Sequence, residues 1–352
     1  MCKIKYLTNQ SLKDLNTFAI DVTAKKIIFI KSIQSLINIS KICQSSNIPY
    51  IILGEGSNTL FLENYRGIVI INRIKGIKIL EKKNVWLLHI FSGEKWHDLV
   101  KLTLHLGIFG LENLALIPGC IGSAAIQNIG AYGLEFKDIC QYVDVLSLKS
   151  NTIRRIHNKF CQFSYRNSIF KNQYHHKYAI VGVGIKLSKK WRPTIFSSLE
   201  NYINLKNITA HAIFNVVCKI RIKKLPDPKK TGNAGSFFKN PIVTKEKAKT
   251  LAILYNTPSY PEKNNLVKIS GGWLIEHYNF KNLQIGDASI HNKQKLILIN
   301  KNNATPQDII KLAKIIHICI FKKFGILLEP EIDFIGPIGK VQSSEIFKLK
   351  NN

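Results

Sequence analysis

From Lys25 onward the hydrophobic and polar positions fall into three short patterns. Ile27 to Ile30 is an apolar run, Ile33 to Cys43 carries apolar residues at helical spacing, and Tyr50 to Leu53 is a second apolar run. The pattern predicts strand, helix, strand, a βαβ-like opening. Short β-rich pieces follow, punctuated by Gly67, Gly76 and Gly93, and then a helix from Trp96 to Leu106 that stops near Gly107. Between Gly110 and Gly133 five glycines crowd into GLENLALIPGCIGSAAIQNIGAYG, a density that marks backbone with positive φ or close approach to a ligand. Strand-like text runs to about Leu187, after which the chain turns polar and irregular. Helices are predicted over 210–224, 244–255 and 306–324, with a turn-rich stretch from Leu225 to Pro241 and an apolar strand at Leu296 to Ile299. The mixture, without a repeat, predicts an α+β class.

At 352 residues the chain exceeds what one hydrophobic core organises. The expected division is a first domain over 14–190, a connector at 191–207 and a C-terminal domain at 208–345. Hydrophobic residues make up 45% and charged residues 21%, ordinary for a globular protein. The formal charge of +29 is not ordinary, and it raises nucleic acid as a partner. The lysines are nonetheless spread along the whole chain, and the sequence is crowded with Ile and Asn around a single Met. That pattern fits compositional bias better than an electrostatic footprint, so no nucleic-acid partner is expected. Cys2, Cys43, Cys120, Cys140, Cys161, Cys218 and Cys319 are odd in number and form no C-x-x-C pair, which indicates neither a disulfide framework nor a metal site. No apolar window is long enough for a membrane span, and the N-terminal residues lack a signal-peptide core. A cytoplasmic, membrane-free protein is expected.

Three segments are candidates for chemistry. In Leu53-Gly54-Glu55-Gly56-Ser57-Asn58 an apolar strand runs into glycines and small polar residues. Such a turn can present backbone N–H groups to an anion, though it is not a dinucleotide fingerprint and a plain tight turn is the alternative. Pro118-Gly119-Cys120-Ile121-Gly122-Ser123, followed by Gln127 to Gly133, is rich in small side chains that could line a diphosphate or an extended cofactor. A glycine-rich packing crossover is its alternative. Asn233 to Pro241 sets one hydroxyl, Ser236, in a flexible turn before two phenylalanines. It could donate a proton, bind an oxyanion or simply turn the chain, and no hydrolase elbow supports a triad.

In order and spacing, LGEGSN, NLALIPGCIGSAAIQNIGAYG, SYRNSIFK, KLPDPKKTGNAGSFFKNP, SGGWLIE and LEPE resemble the bacterial UDP-N-acetylenolpyruvoylglucosamine reductases, in their longer class. The resemblance runs from Asn16 to Gly336. It implies a two-lobed FAD-binding α+β fold of the vanillyl-alcohol-oxidase type, with lobes at about 14–72 and 73–190, followed by a substrate domain. It also implies FAD and NADPH as cofactors and an enolpyruvyl nucleotide sugar as substrate, in a monomer serving peptidoglycan synthesis. By the same resemblance, hydride passes from NADPH to FAD and from flavin N5 to the vinyl carbon. Arg166 matches the arginine that neutralises the substrate carboxylate, Glu331 the glutamate sharing that task, and Ser236 the proton donor to the α-carbon. Gly54, Gly56, Ser57, Asn58, Pro118, Gly119, Gly122, Ser123, Gly130, Ala131, Tyr132 and Arg221 match the flavin positions. Lys224, Asn240, Lys281 and Gln294 match those holding the nucleotide sugar. Read without the resemblance, each of these cations, amides and carboxylates is equally a solvated side chain or a surface ion pair. Another oxidase of the same fold is the nearest rival reading.

This chain departs from the family pattern at three places. Phe196 or Ser197 stands where a tyrosine closes over the nucleotide sugar, and Asp287 and Asp333 stand where relatives carry a small and a basic residue. The departures predict weaker substrate closure with the chemistry intact.

Overall fold

The computed structural model describes residues 6–174, 177–200, 202, 208–262 and 264–348. The chain separates into two compact units whose segments interleave along the sequence. The first comprises 1–8, 26–55 and 67–223; the second comprises 9–25, 56–66 and 224–352. This partition by compactness differs from the linear one expected. The short segments 9–25 and 56–66 belong with the C-terminal residues, and the helix Ala210–Lys224 lies beyond the expected connector yet stays almost wholly with the first unit.

In the first unit the opening pattern folds as expected. The helix Ile33–Ser45 connects Thr23–Ile30 to Tyr50–Leu53, and Tyr65–Asn72 lies between those two strands in the sheet, pairing parallel with Tyr50–Leu53, Ile51 opposite Val69. Ser32 caps that helix by accepting from the Ser35 amide at 3.1 Å. Leu36, Ile39 and Cys43 on the helix pack with Ile28, Ile30, Ile68 and Ile70 of the sheet. A second sheet of five strands is antiparallel throughout, in the order Ile153–His157, Cys140–Ser147, Tyr178–Ser188, Val85–Phe91 and Ile77–Glu81. The helices Trp96–His105, Ile121–Gln127 and Ala210–Lys224 supply buried apolar residues to its core, among them Leu99, Ala125 and Val217.

Within the glycine-rich stretch a short helix forms. Ile121–Gln127 is helical, and its small residues are what allow it to lie close to the protein around it. A Cβ added at Gly122 would stand 3.0 Å from Ser92 Cβ. Ala124 and Ala125 are buried, so these residues do pack a core.

In the second unit Thr59–Phe61 pairs parallel with Asp333–Ile335, Thr59 opposite Asp333. Two further three-stranded sheets involve Ile242–Thr244, Leu266–Ile269 and Ser259–Pro261, and Gln284–Ile285, Ala288–Ile290 and Leu298–Asn300. The helix Pro306–Phe324 has both ends written into its sequence: Thr305 and Asp308 form a capping box, proline is at its start, and Gly325 closes it at φ 63°. Its buried stripe includes Ile309, Leu312, Ile316 and Ile320.

Candidate functional site

Each unit carries part of the predicted site. In the first, Arg166 sits at φ 52° in a tight turn, where Ser164 and Asn167 exchange backbone hydrogen bonds of 3.1 Å. Its Nη2 donates to the Gly130 carbonyl at 3.4 Å, and the guanidinium carbon lies 5.5 Å from the Tyr165 ring centroid. Arg221 approaches the same neighbourhood from the helix Ala210–Lys224 and donates to the Leu116 carbonyl at 3.2 Å. Leu116 has φ 57°, and its amide donates to His97 Nδ1 at 3.0 Å. Burial is the main influence lowering the Arg221 guanidinium from its ordinary value; Arg166 adds to it, while Tyr132 and Cys218 oppose it. Arg221 Nε is buried and has no hydrogen-bond partner among the described residues. Arg166, Arg221 and Tyr132 therefore gather two fixed cations and a phenol, an arrangement suited to an anionic, acceptor-rich ligand.

Gly54 and Gly119 to Ser123 belong to the same unit. An added Cβ at Gly54 would lie 3.1 Å from Cys120 Sγ, so the two glycine-rich segments touch. Two amides of the glycine-rich segment are occupied within the protein. Gly119 N donates to Glu55 Oε2 at 3.1 Å and Gly122 N to the Ser92 carbonyl at 3.0 Å. Glu55 also pairs with Lys95 at 2.8 Å. Ser123 Oγ caps its own helix, accepting from Cys120 N at 3.0 Å and donating to Cys120 O at 2.7 Å. Pro118 is exposed, and Tyr132 is held through its carbonyl by Asn113 Nδ2 at 2.8 Å. Asn113 also donates to Thr194 O at 2.9 Å, and Phe196 lies beside Gly133. The Ser197 side chain lies outside what the structure describes.

In the second unit Gly56, Ser57 and Asn58 precede Thr59–Phe61. Gly56 has φ 59°, and its carbonyl accepts from Thr17 N at 3.2 Å. Asn58 Nδ2 donates to the Glu331 carbonyl at 3.4 Å, and Asp333 N donates to Asn58 O at 2.9 Å. Ser236 forms a bridge with Ile297, and the next carbonyl along, Phe237 O, accepts from Glu331 N at 2.8 Å. Ser236 and Glu331 thus stand on neighbouring extended segments. Phe237 and Phe238, both fully buried, anchor the first; the second is tied by His317, whose Nδ1–H donates to Leu328 O at 2.9 Å. Glu331 itself is buried, whereas Glu329 is exposed and pairs with Lys239 at 3.2 Å.

Asn240 and Gln294 meet at the start of the helix Gly271–Tyr278. Asn240 Oδ1 accepts from Gly271 N at 2.9 Å, and an added Cβ at Gly272 would lie 3.1 Å from Gln294 Oε1. Lys281 lies beyond the other end of that helix and lines a cavity of about 920 Å³ with Lys295, Lys301 and His291. Lys224 is exposed. Asp287 accepts from Asn303 N at 2.9 Å and Asp333 pairs with Lys340, so both departures have local partners. Sequence reasoning passed over the residues that hold the site: Asn113, Asn128 and Ser168 are buried and bonded to backbone, and no periodicity marks them. Among the described residues no His/Cys/Asp/Glu group is arranged to hold a metal, and no helix is long and apolar enough to cross a membrane.

Residues 227–335 match the family model described as UDP-N-acetylenolpyruvoylglucosamine reductase, C-terminal domain, and residues 24–156 match that of an FAD binding domain. The chain is 77% identical over 351 residues to the UDP-N-acetylenolpyruvoylglucosamine reductase of Buchnera aphidicola subsp. Acyrthosiphon pisum (strain APS), covering 100% of this chain and 99% of the relative. It is 48% identical over 338 residues to that of Escherichia coli (strain K12), covering 96% and 99%. Among solved structures it is similar to the reductase from Thermus caldophilus, with TM-score 0.65 and 22% identity over 94% of this chain and 98% of that one.

Proposed function

Because this chain belongs to the UDP-N-acetylenolpyruvoylglucosamine reductase family, an α+β oxidoreductase family with an FAD binding domain, we propose that it makes UDP-N-acetylmuramate by NADPH-dependent reduction of the enolpyruvyl nucleotide, as a cytoplasmic monomer. The first unit fits an anionic cofactor: Arg221 Nε is buried without an acceptor among the described residues, beside a second arginine and a phenol. Gly54, Gly56, Ser57, Asn58, Pro118, Gly119, Gly122, Ser123, Gly130, Ala131, Tyr132 and Arg221 would hold FAD. Bound FAD, reduced by NADPH, supplies the hydride that adds to the vinyl carbon.

The chain's own task is the charge that this addition leaves next to the substrate carboxylate. Arg166 holds that carboxylate with a planar, permanently charged fork. Glu331, buried and fixed through its amide to Phe237, hydrogen-bonds to it as it gains enediolate character. Ser236 Oγ gives its proton to the α-carbon, completing a net addition of hydride and proton, and regains one from solvent. An alcohol is a weak acid, so the work is done by placement against developing carbanion charge. Lys224, Asn240, Lys281 and Gln294 hold the nucleotide sugar.

The observation that carries this reading is the backbone bond from Glu331 N to Phe237 O, which joins the extended segments bearing Ser236 and Glu331 within one unit. The test is Ser236→Ala followed in two half-reactions. Flavin reduction by NADPH is expected to stay within about twofold, while reoxidation by the enolpyruvyl nucleotide slows on the order of 10²–10⁴-fold. Reoxidation at the wild-type rate would remove Ser236 from the mechanism and favour an oxidase of the same fold.

A further inference from the structure

Arg166 occupies a backbone conformation that L side chains other than asparagine and aspartate seldom adopt, φ 52°. It takes the second central position of the turn Ser164–Asn167, where glycine or asparagine is the usual residue when φ is positive. A long arginine held there needs a frame, and the frame is built from the C-terminal end of the helix Ile121–Gln127.

Asn128 closes that helix. It is fully buried and itself left-handed at φ 44°. Every polar atom of its side chain is engaged: Nδ2 donates to Ser164 O at 3.0 Å and to Glu135 Oε2 at 3.1 Å, and Oδ1 accepts from Lys137 N at 2.9 Å. The bond to Ser164 O fixes the entry of the turn. Ser168 fixes its exit, with Oγ donating to Ile126 O at 2.6 Å. Ser168 is also buried, at 1% exposure. The carbonyl it satisfies is one of the helix's last-turn acceptors, which have no partner inside the helix. The turn is therefore bolted at both ends to one helix terminus, with Arg166 between the bolts.

We infer that Asn128 is a positioning residue for the substrate half of the reaction: it holds the turn that aims Arg166, and touches neither substrate nor cofactor itself. Ser168 is its companion at the other end. The inference rests on the reading of Arg166 as the carboxylate-binding residue.

Asn128→Gly separates the side chain from the backbone, since glycine accepts the left-handed conformation without strain. In the FAD-loaded enzyme this variant is expected to slow reoxidation by the enolpyruvyl nucleotide by about 10- to 100-fold, the scale of a reacting group misplaced by a fraction of an ångström to an ångström. Flavin reduction by NADPH is expected to stay within about twofold. In an Arg166→Ala background Asn128→Gly is expected to cost nothing more, because the residue it aims is gone. In the FAD-free chain, amide exchange at Asn167, whose N–H closes the turn, is expected to accelerate. If Asn128→Gly yields no folded, flavin-loaded protein, Ser168→Ala carries the same comparisons with the helix cap intact. Equal slowing of both half-reactions, or an undiminished effect in the Arg166→Ala background, would overturn the positioning role. Wild-type reoxidation by Arg166→Ala alone would instead overturn the reading of Arg166, and the inference with it.

Discussion

Gly56 and Gly235 form a matched pair for separating backbone conformation from close approach. Both are left-handed, at φ 59° and 71°. An added Cβ at Gly235 meets nothing within 4 Å, whereas at Gly56 it would lie 2.4 Å from Leu15 O and 2.8 Å from Asn16 Cα. Gly235→Ala should therefore cost only the left-handed penalty, about 1–2 kcal/mol. Gly56→Ala should add overpacking against backbone that cannot swing away, about 2–3 kcal/mol more. At roughly 2–4 °C per kcal/mol for domains of this size, the expected falls in Tm are on the order of 2–8 °C for Gly235→Ala and 6–20 °C for Gly56→Ala. Thermal unfolding followed by circular dichroism at one fixed FAD concentration reads both. Equal shifts in the two variants would refute the claim that the chain at Gly56 is pressed against residues 15–16.

Two further outcomes follow from the same structure. Burial lowers His89, His97 and His291 from their ordinary values; the unfolded chain thus takes up protons at higher pH than the folded one, and stability should fall as pH drops below the usual histidine range of about 6.5. Tm measured between neutral and mildly acidic pH should decline, and a rise would contradict desolvation of these three half-buried rings as the dominant influence on them. Phe196→Tyr restores a phenolic hydroxyl on an exposed ring beside Gly133, and in it or in Ser197→Tyr KM for the enolpyruvyl nucleotide should fall about 2- to 10-fold, one hydrogen bond's worth; an unchanged KM in both variants would remove the departure from the account of substrate closure.

How far the sequence carries the fold depends on whether the determining contact is local. The helix Pro306–Phe324 was legible to its last residue because its cap, proline, apolar stripe and terminal glycine are neighbours in the chain. So was Tyr50–Leu53, an apolar run followed by glycines. The interleaving of the two units was not legible. Thr59 pairs with Asp333, and Thr17 O accepts from Asn233 N at 2.8 Å, contacts whose partners lie hundreds of residues apart and leave no period. The glycine-rich stretch was ambiguous for a related reason: small residues mark close approach, and what the fold brings near Gly122, Ser92, leaves no trace in the sequence. Of the site, the chemistry-bearing types, Arg166, Ser236 and Glu331, came from motif resemblance. Their supports, Asn128, Ser168 and the Phe237 carbonyl, are ordinary polar groups made significant by burial and direction alone.

The central claim is tested most directly by anaerobic stopped-flow absorbance on the flavin-loaded protein, first with NADPH and then with the enolpyruvyl nucleotide sugar. The account predicts that the flavin band bleaches in the first mixing and returns in the second, with one UDP-N-acetylmuramate formed per flavin. A flavin that NADPH leaves oxidised, or one that the enolpyruvyl nucleotide leaves reduced, would contradict it.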